Sequence, residues 1–351
     1  MGAGGSHSDS AHAGEAGSPA AQSGGSVFLL SDYGYSDEFA GVMRAVIQRD
    51  APGAPVVDIT HGIPPFDVRA GARCLERAVD HLGRGVVVAV VDPGVGSARR
   101  GIALLASSSG QPSPHSGVGP AYFVGPDNGL LMPALKRMGG VRTAVALAPG
   151  VARPGGSSTF DGRDLFAPVA ALLWSGASIE ELGDPVDPAT LVDIAEPFLE
   201  VSAGSLTAEV TWIDGFGNVQ LAARLDDAES CGIRSDPGRP PVRVSVIRLP
   251  GRQDEPGDPA RGDGEGEGQG EGEGEGEGEG EGEGEGEGLP VAELQVRLVG
   301  SFAAIAPADA GLVIDANLHL AISCREQSAA DLYGIRVGDR VVLSAGGGAQ
   351  G

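Results

Sequence analysis

Asp92, Pro93, Gly94, Val95 and Gly96 follow directly on an apolar run, Gly85 to Val91, and Arg99 and Arg100 come shortly after. In an open α/β sheet, ligands bind beyond the carboxyl ends of the strands, so an acid at such an end faces the crevice. The glycines let backbone approach a ligand closely, and Arg99 is near enough in sequence to fold back on Asp92. A carboxylate beside a guanidinium holds and polarises a small nucleophile such as water. The same residues also fit a plainer role, an acid capping its own turn with an arginine at the surface.

Four other segments carry groups of the same kind. Asp32 follows the run Val27 to Leu30, like Asp92 on its own strand, and two strand-end acids aimed at one crevice suit ribose hydroxyls, which need acceptors. Asp37 either joins that site or caps the helix that follows. His61, in Asp58-Ile59-Thr60-His61-Gly62, is a general base or, more simply, a turn or core residue. Asp161 and Asp164, in Thr159 to Asp164, are N-cap residues or, for Asp161, a second acid facing Asp92. Trp212 to Val219 places Asp214, Phe216 and Asn218 around two glycines. An aromatic face beside an amide suits a purine, and an ordinary β-turn is the alternative. Gly125 to Gly129 reads as a turn on the same edge as Asp32 and Asp92. The chain lacks a phosphate-cradling Gly-rich loop, a His-Glu-x-x-His pair and a Gly-x-Ser-x-Gly elbow.

The elements that must position these residues alternate between strand and helix. Strands are expected at Val27 to Leu30, Pro55 to Ile59, Gly85 to Val91, Ile102 to Leu105, Ala121 to Val124 and Thr143 to Leu147. Helices are expected at Asp37 to Arg49, Asp67 to Leu82, Leu130 to Met138 and Asp164 to Trp174. This alternation predicts an α/β domain, residues 26–196, with a mostly parallel sheet flanked by helices. From 197 to 351 short strands follow one another almost without helical signal, which predicts a smaller all-β, barrel-like domain. These are Ser205 to Ile213, Val219 to Ala222, Val242 to Leu249, Glu293 to Ser301, Gly311 to Ile314, Leu318 to Ser323 and Arg340 to Leu343. Residues 1–25 read as a disordered tail, and residues 252–288, with their Glu-Gly repeat, as a disordered insert.

Composition narrows the partners. The 351 residues are 41% hydrophobic and carry a net charge of −24, which disfavours nucleic acid and anionic membranes. Eleven of the glutamates lie in the Glu-Gly repeat, so the folded part is only mildly acidic. Cys74, Cys231 and Cys324 share no metal-ligand spacing and fit a reducing cytoplasm. No apolar window is long enough to span a membrane, and no leader-like segment opens the chain.

Ser31-Asp32-Tyr33-Gly34, Asp58-Ile59-Thr60-His61, Asp92 to Gly96 with Arg99-Arg100, Pro126-Asp127-Asn128-Gly129, Thr159 to Phe166 and Asp214 to Val219 occur in the order and spacing of one family. Together they resemble the S-adenosyl-L-methionine (SAM) hydrolases, or hydroxide adenosyltransferases, relatives of the fluorinases and chlorinases. The resemblance implies hydrolysis of SAM to adenosine and L-methionine by an activated water at the ribose C5′, with no metal and no cofactor. It implies a homotrimer with each site between two subunits. Asp92 and Arg99 match two of the family's catalytic residues. Asp161 stands where the family usually has His, and Asp92 where the halogenating relatives have another residue. The resemblance further implies that Asp32 holds the ribose and that Asp37 and Asp214 hold the methionine ammonium. Phe216 and Asn218 would contact adenine, Phe66 would line the pocket near the sugar, and Asn317 to Ser328, including Glu326, would complete it. Arg325-Glu326-Gln327 departs from the family's usual Asn-x-Gly. Other readings open at this point are a non-catalytic binder of SAM or adenosine, a metal-dependent nucleoside hydrolase, and a halogenase.

Overall fold

The computed structural model describes residues 1, 25–107, 121–151, 159–235, 240–250 and 288–345. The expected N-terminal tail, most of the loop between residues 106 and 119 and nearly all of the Glu-Gly insert lie outside the described residues.

The first half of the chain builds one seven-stranded sheet. Its strands are β1 (Ser26–Ser31), β2 (Val56–Thr60), β3 (Gly85–Val90), β4 (Gly101–Ala106), β5 (Tyr122–Pro126), β6 (Val141–Leu147) and β7 (Gly183–Pro185), in the order β2-β1-β3-β5-β4-β6-β7. β2, β1, β3 and β5 run parallel, whereas β4 is antiparallel to both β5 and β6. β6 therefore points the same way as the parallel four, and the mostly parallel sheet expected from sequence is present with β4 and β7 reversed. β1, between its terminal serines, and β3 are apolar and, past the first residue of each, buried on both faces, the pattern of a central parallel strand.

Helices cover both faces. On one side lie α1 (Phe39–Asp50) and α4 (Ala167–Trp174); Met43 and Ile47 of α1, Leu173 of α4 and Phe166, the residue before α4, pack with Val27, Leu29, Val86 and Val88. On the other lie α2 (Val68–Ala78) and α3 (Met132–Arg137); Leu75 of α2, Leu135 of α3 and Leu130, two residues before α3, pack with Leu30, Val87 and Phe123. α2 starts at Asp67, whose carboxylate accepts from the Ala70 N–H at 2.8 Å, an ordinary N-cap. Asp37 caps nothing: α1 begins at Phe39 after Glu38, with no side-chain cap.

The second half forms a curled antiparallel sheet. β9 (Ser205–Ile213), β10 (Val219–Arg224), β11 (Val242–Arg248), β12 (Leu289–Val296), β13 (Ala310–Ile314), β14 (His319–Cys324) and β15 (Arg340–Ser344) follow the order β12-β11-β15-β9-β10-β14-β13, and β8 (Leu199–Ser202) pairs with β9. A parallel bridge between Leu298 and Leu312 brings the chain beyond β12 onto β13, so the sheet curls into a half-barrel. Its interior is aliphatic, with Leu206, Val210, Leu221, Val244, Leu312, Leu320, Ile322 and Leu343. Two helices close it, α5 (Leu225–Ser230) and α6 (Ala329–Tyr333). Sequence reading missed β8 and α5, and it placed β12 too late.

α2 joins the two sheets. Arg69 pairs with the buried Glu209 of β9 at 2.8 Å, and the Arg77 guanidinium lies 5.0 Å from the Trp212 ring. On its other side α2 supports the turn after β3: a Cβ on Gly71 would sit 2.8 Å from Leu130 Cδ1 and 3.0 Å from Val91 Cγ2. Gly71→Val therefore overpacks this seam, and urea denaturation is expected to show a loss of about 1–3 kcal/mol. An unchanged unfolding midpoint would mean that α2 does not press on Val91.

Candidate active site

The parallel strands deliver their side chains to one edge. β1 ends beside β2 and β3 in register, with Leu30 opposite Thr60 and Ser31 opposite Val90. Asp32, His61 and Asp92, which follow these strands, therefore leave the sheet at the same side. β4 runs the other way, so the residue two before its first, Arg99, returns to that edge. Asp161 arrives from a third direction, just before a single π-helical turn, Gly162–Phe166, that leads into α4.

Arg99 ties these pieces together. Its Nε donates to Asp92 Oδ1 at 3.0 Å, and its Nη2 contacts both Asp92 Oδ2 and Asp161 Oδ2. Its guanidinium carbon lies 5.5 Å from the Phe166 ring. The Asp92, Arg99 and Asp161 side chains are only 6%, 13% and 20% exposed, so the pairing is sheltered from bulk water. Burial alone would make Arg99 release its proton more readily, and the hydrogen bonds and charges of Asp92 and Asp161 overcome that and hold it more tightly. Asp161, immediately before the π-turn, uses no oxygen as a helix cap.

The loop that carries Asp92 and Arg99 is pinned at both ends. Asn128 Nδ2 donates to the Val91 carbonyl at 2.8 Å. Arg100 Nε donates to Asp127 Oδ2 at 2.8 Å, and the Asp127 N–H returns a bond to the Arg100 carbonyl at 2.9 Å. The Pro126 to Gly129 turn, legible in sequence only as a turn, thus holds the reactive loop. Gly94 lets the loop fold this tightly, since a Cβ there would lie 3.3 Å from Arg99 Cγ.

Asp32 stands on the same rim. Its Oδ2 accepts the Phe66 N–H at 2.8 Å, and Phe66 adopts φ 67°, a left-handed conformation costly for an aromatic residue. The Phe66 ring is 64% exposed beside it. Burial raises the Asp32 pKa above 3.8, the Phe66 N–H opposes that, and the charge of Asp92 adds to the rise. Asp37 is exposed on the following turn and makes none of the described hydrogen bonds.

Tyr33 was not singled out in the sequence, although it directly follows Asp32. Its ring packs edge-on against Phe160 at 5.6 Å and lies 5.7 Å from Phe39. A Cβ on Gly162 would sit 2.5 Å from its hydroxyl, so the residue after Asp161 must be glycine for the phenol to lie there. Burial raises the pKa of this phenol far above its usual value, and the charges of Asp32, Asp92 and Asp161 add to the rise. Three carboxylates and one guanidinium thus share a small space with an un-ionised hydroxyl, and the region favours cations. Among the described residues no group of three or more His, Cys, Asp and Glu side chains is placed to share a metal ion.

The second-half candidates form a separate recess of about 700 Å³, lined by Phe216, Asn218, Phe302 and Cys324 to Ser328. Asp214 organises its rim. Oδ1 accepts from the Phe216 and Asn218 N–H groups at 2.9 Å each, and Oδ2 from Asn218 Nδ2 at 2.8 Å. Phe216, by contrast, is 82% exposed. Gly217, at φ 79°, packs so closely on Ser328 that a Cβ would fall 2.0 Å from its Oγ. Glu326 is also left-handed, at φ 60°, with its side chain 3.7 Å from Arg325. Asn317 does not join this group. It precedes β14, whereas Glu326 follows it, so the six-residue strand separates them by about 20 Å.

A family model described as the SAM hydroxide adenosyltransferase N-terminal domain matches residues 27–183. A Salinispora tropica protein named (R)-S-adenosyl-L-methionine hydrolase is 46% identical over 198 residues, which cover 56% of this chain and 71% of the relative. A Thermus thermophilus protein of the same name is 41% identical over 201 residues, covering 55% and 72%. A crystal structure of an uncharacterized conserved protein from Thermotoga maritima superposes with a TM-score of 0.68 at 25% identity, over 91% of this chain and 99% of that one. The identity to the named hydrolases, over more than two thirds of their length, establishes that the chain belongs to the SAM hydroxide adenosyltransferase family.

Proposed function

We propose that the protein hydrolyses SAM to adenosine and L-methionine. The observation that carries this reading is the sheltered Asp92–Arg99–Asp161 cluster beside Asp32. Asp32 accepts hydrogen bonds from the ribose hydroxyls, and Phe66 covers the sugar. Asp92 accepts one hydrogen bond from a water aligned with C5′. The water oxygen bonds to C5′, the C5′–S bond breaks with its electron pair passing to sulfur, and the water proton goes to Asp92 and then to solvent. The sulfonium leaves as a neutral thioether, so no general acid is required. Alignment and exclusion of bulk water supply most of the acceleration. Arg99 fixes Asp92, and Asp161 on the far side of Arg99 accepts a second bond from the water. Excess negative charge in the cluster draws in the cationic substrate.

The Phe216–Asn218–Glu326 recess takes the adenine in this reading, with Phe216 stacking and Asn218 accepting from the exocyclic amine. Asp92, Arg99 and Asp161 are not part of the lining of that recess in one chain, so we place each complete site between residues 26–196 of one copy and residues 197–351 of the next, in a homotrimer. Asp37 and Asp214 flank the methionine ammonium; Asn317 has no place in this pocket. The free thiols of Cys74, Cys231 and Cys324 suit a reducing compartment, the cytoplasm. No helix among the described residues is long and apolar enough to cross a membrane.

Three outcomes are expected. Purified protein given SAM with excess EDTA releases adenosine and methionine in equal amounts by chromatography, and Asp92→Ala lowers kcat by about 10²–10⁴-fold. Saturable SAM binding without release would instead mark a binding protein, with Asp161 unable to serve in the place the family gives to His. Adenosine affinity, measured by calorimetry, weakens as pH falls through the raised Asp32 pKa, because only the ionised carboxylate accepts from both hydroxyls. Asp32→Asn removes that dependence, and a profile unaltered by it would remove Asp32 from the ribose site. Asp92→Ala and Phe216→Ala, each defective alone, regain about a quarter of wild-type activity when mixed as subunits, since half of each partner's contribution remains intact. No recovery on subunit exchange would place the whole site within one chain.

A further inference from the structure

His61 is completely buried, and the reaction as derived leaves it without a task. Its ring lies between Ser31 and Asp58. Nδ1 is 2.7 Å from Ser31 Oγ, and Nε2 faces Asp58 Oδ1 at 3.2 Å, off the line of a good hydrogen bond. Asp58 in turn pairs with Arg44 of α1. The arrangement has the membership of a hydrolytic triad, but Ser31 is 1% exposed and cannot meet a substrate.

The Asp58 carboxylate beside Nε2 favours the ring proton on that nitrogen. Nδ1 is then an acceptor for the Ser31 hydroxyl, whose oxygen also accepts the Tyr33 N–H at 3.3 Å. The backbone of His61 holds the same turn from the other side: its carbonyl accepts the Gly34 N–H at 2.7 Å, and its N–H donates to Tyr35 Oη at 2.9 Å. The Tyr35 ring stands edge-on to the imidazole at 5.9 Å. Ser31, Gly34 and Tyr35 are therefore each bonded to His61, and Tyr33 is held through Ser31; Asp32 is the member of the turn that this tether leaves free for a ligand.

We propose that His61 is a positioning residue that holds the Ser31–Tyr35 turn to the end of β2 and so aims Asp32 at the ribose. This rests on the reading of Asp32 given above. The turn has no regular structure of its own, with Gly34 at φ 69° and Tyr35 to Glu38 exposed. A chain anchored on α1 through Arg44, on β2 through Asp58 and on β1 through Ser31 supplies the rigidity that the turn lacks.

Three variants separate the contacts. Asn at this position keeps an acceptor near Nδ1, Gln reaches toward Asp58 only, and Leu makes neither contact. Hydrogen exchange of residues 31–38, followed by mass spectrometry, reads the tether whether or not SAM is turned over. His61→Leu and His61→Gln are expected to exchange faster there than wild type, and His61→Asn to stay close to wild type. With SAM, His61→Leu raises KM and the adenosine Kd by about tenfold to a hundredfold while kcat changes little, and His61→Asn restores both. Unchanged exchange in His61→Leu overturns the proposal, as does faster exchange with unaltered adenosine affinity. If His61→Leu fails to fold, Ser31→Ala removes the same side-chain contact, with the same expected and contrary results. Wild-type protein that neither hydrolyses SAM nor binds adenosine would overturn the functional reading and, with it, the aiming of Asp32, leaving the exchange data to report on the tether itself.

Discussion

A single guanidinium, that of Arg99, neutralises two carboxylates that arrive on separate stretches of chain, Asp92 and Asp161. Burying either acid without a counter-charge costs several kcal/mol, and removing one partner of a buried pair costs about 3–5 kcal/mol. Much of the surrounding structure is arranged around that pairing. Asn128 and Asp127 fix the loop before and after it, Gly94 lets the loop close, Phe166 supports the guanidinium face, and Gly162 makes room for the Tyr33 phenol. Asp32 adds a third negative charge at the rim, so the cluster keeps more carboxylate than guanidinium. A cationic sulfonium is the kind of substrate such an imbalance attracts.

The acids lie together because the strands that carry them run parallel. A parallel sheet sends every loop that follows its strands to one edge, and three of those loops, after β1, β2 and β3, bring Asp32, His61 and Asp92. Reversal of β4 brings Arg99 back to the same edge at the start of a strand rather than the end of one. The half-barrel follows a different logic. Its hairpins place Phe216 and Asn218 at one end of β10, with the Glu326 turn beside them, and leave Asn317 at the other end of β14. Of the four left-handed non-glycine residues among those described, Phe66 lies beside Asp32 and Glu326 lines the Phe216 recess, while Ala308 and Leu318 lie at neither.

Much of this was legible in the chain. An apolar run that stops abruptly at an acid, as at Val91-Asp92, announces a buried strand end, and the alternation of such runs with amphipathic helices announces the sheet. The composition of β4 gives no sign of its direction, since its residues are mostly buried on both faces; the one sign was the ten-residue connection 91–100, short for a parallel crossover. α5 was hidden by its polar sequence, Leu225-Asp226-Asp227-Ala228-Glu229-Ser230, although Asp227 bonds back to the Arg224 N–H at 2.7 Å to start it. β12 begins directly after the Glu-Gly repeat, where composition masks its first residues. Asp161 was legible as an acid near the site, but its partner was not, since Arg99 lies 62 residues away and only the fold joins them. The same holds for Asn128 on the Val91 carbonyl. Tyr33 was readable in principle as the neighbour of a strand-end acid, yet its place against Gly162 depends on helix packing.

In the proposed mechanism Asp92 activates a water rather than attacking C5′ itself, and the origin of the new oxygen in adenosine distinguishes the two. A single turnover with protein in excess over SAM, carried out in ¹⁸O-enriched water and followed by mass spectrometry of the adenosine, reads that origin directly. Direct attack by water places ¹⁸O in the adenosine 5′-hydroxyl on the first turnover and none in the protein. Unlabelled adenosine, with ¹⁸O appearing in the Asp92 carboxylate, would mean that Asp92 forms an ester with C5′ that water then opens at its acyl carbon, and would exclude the activated-water mechanism.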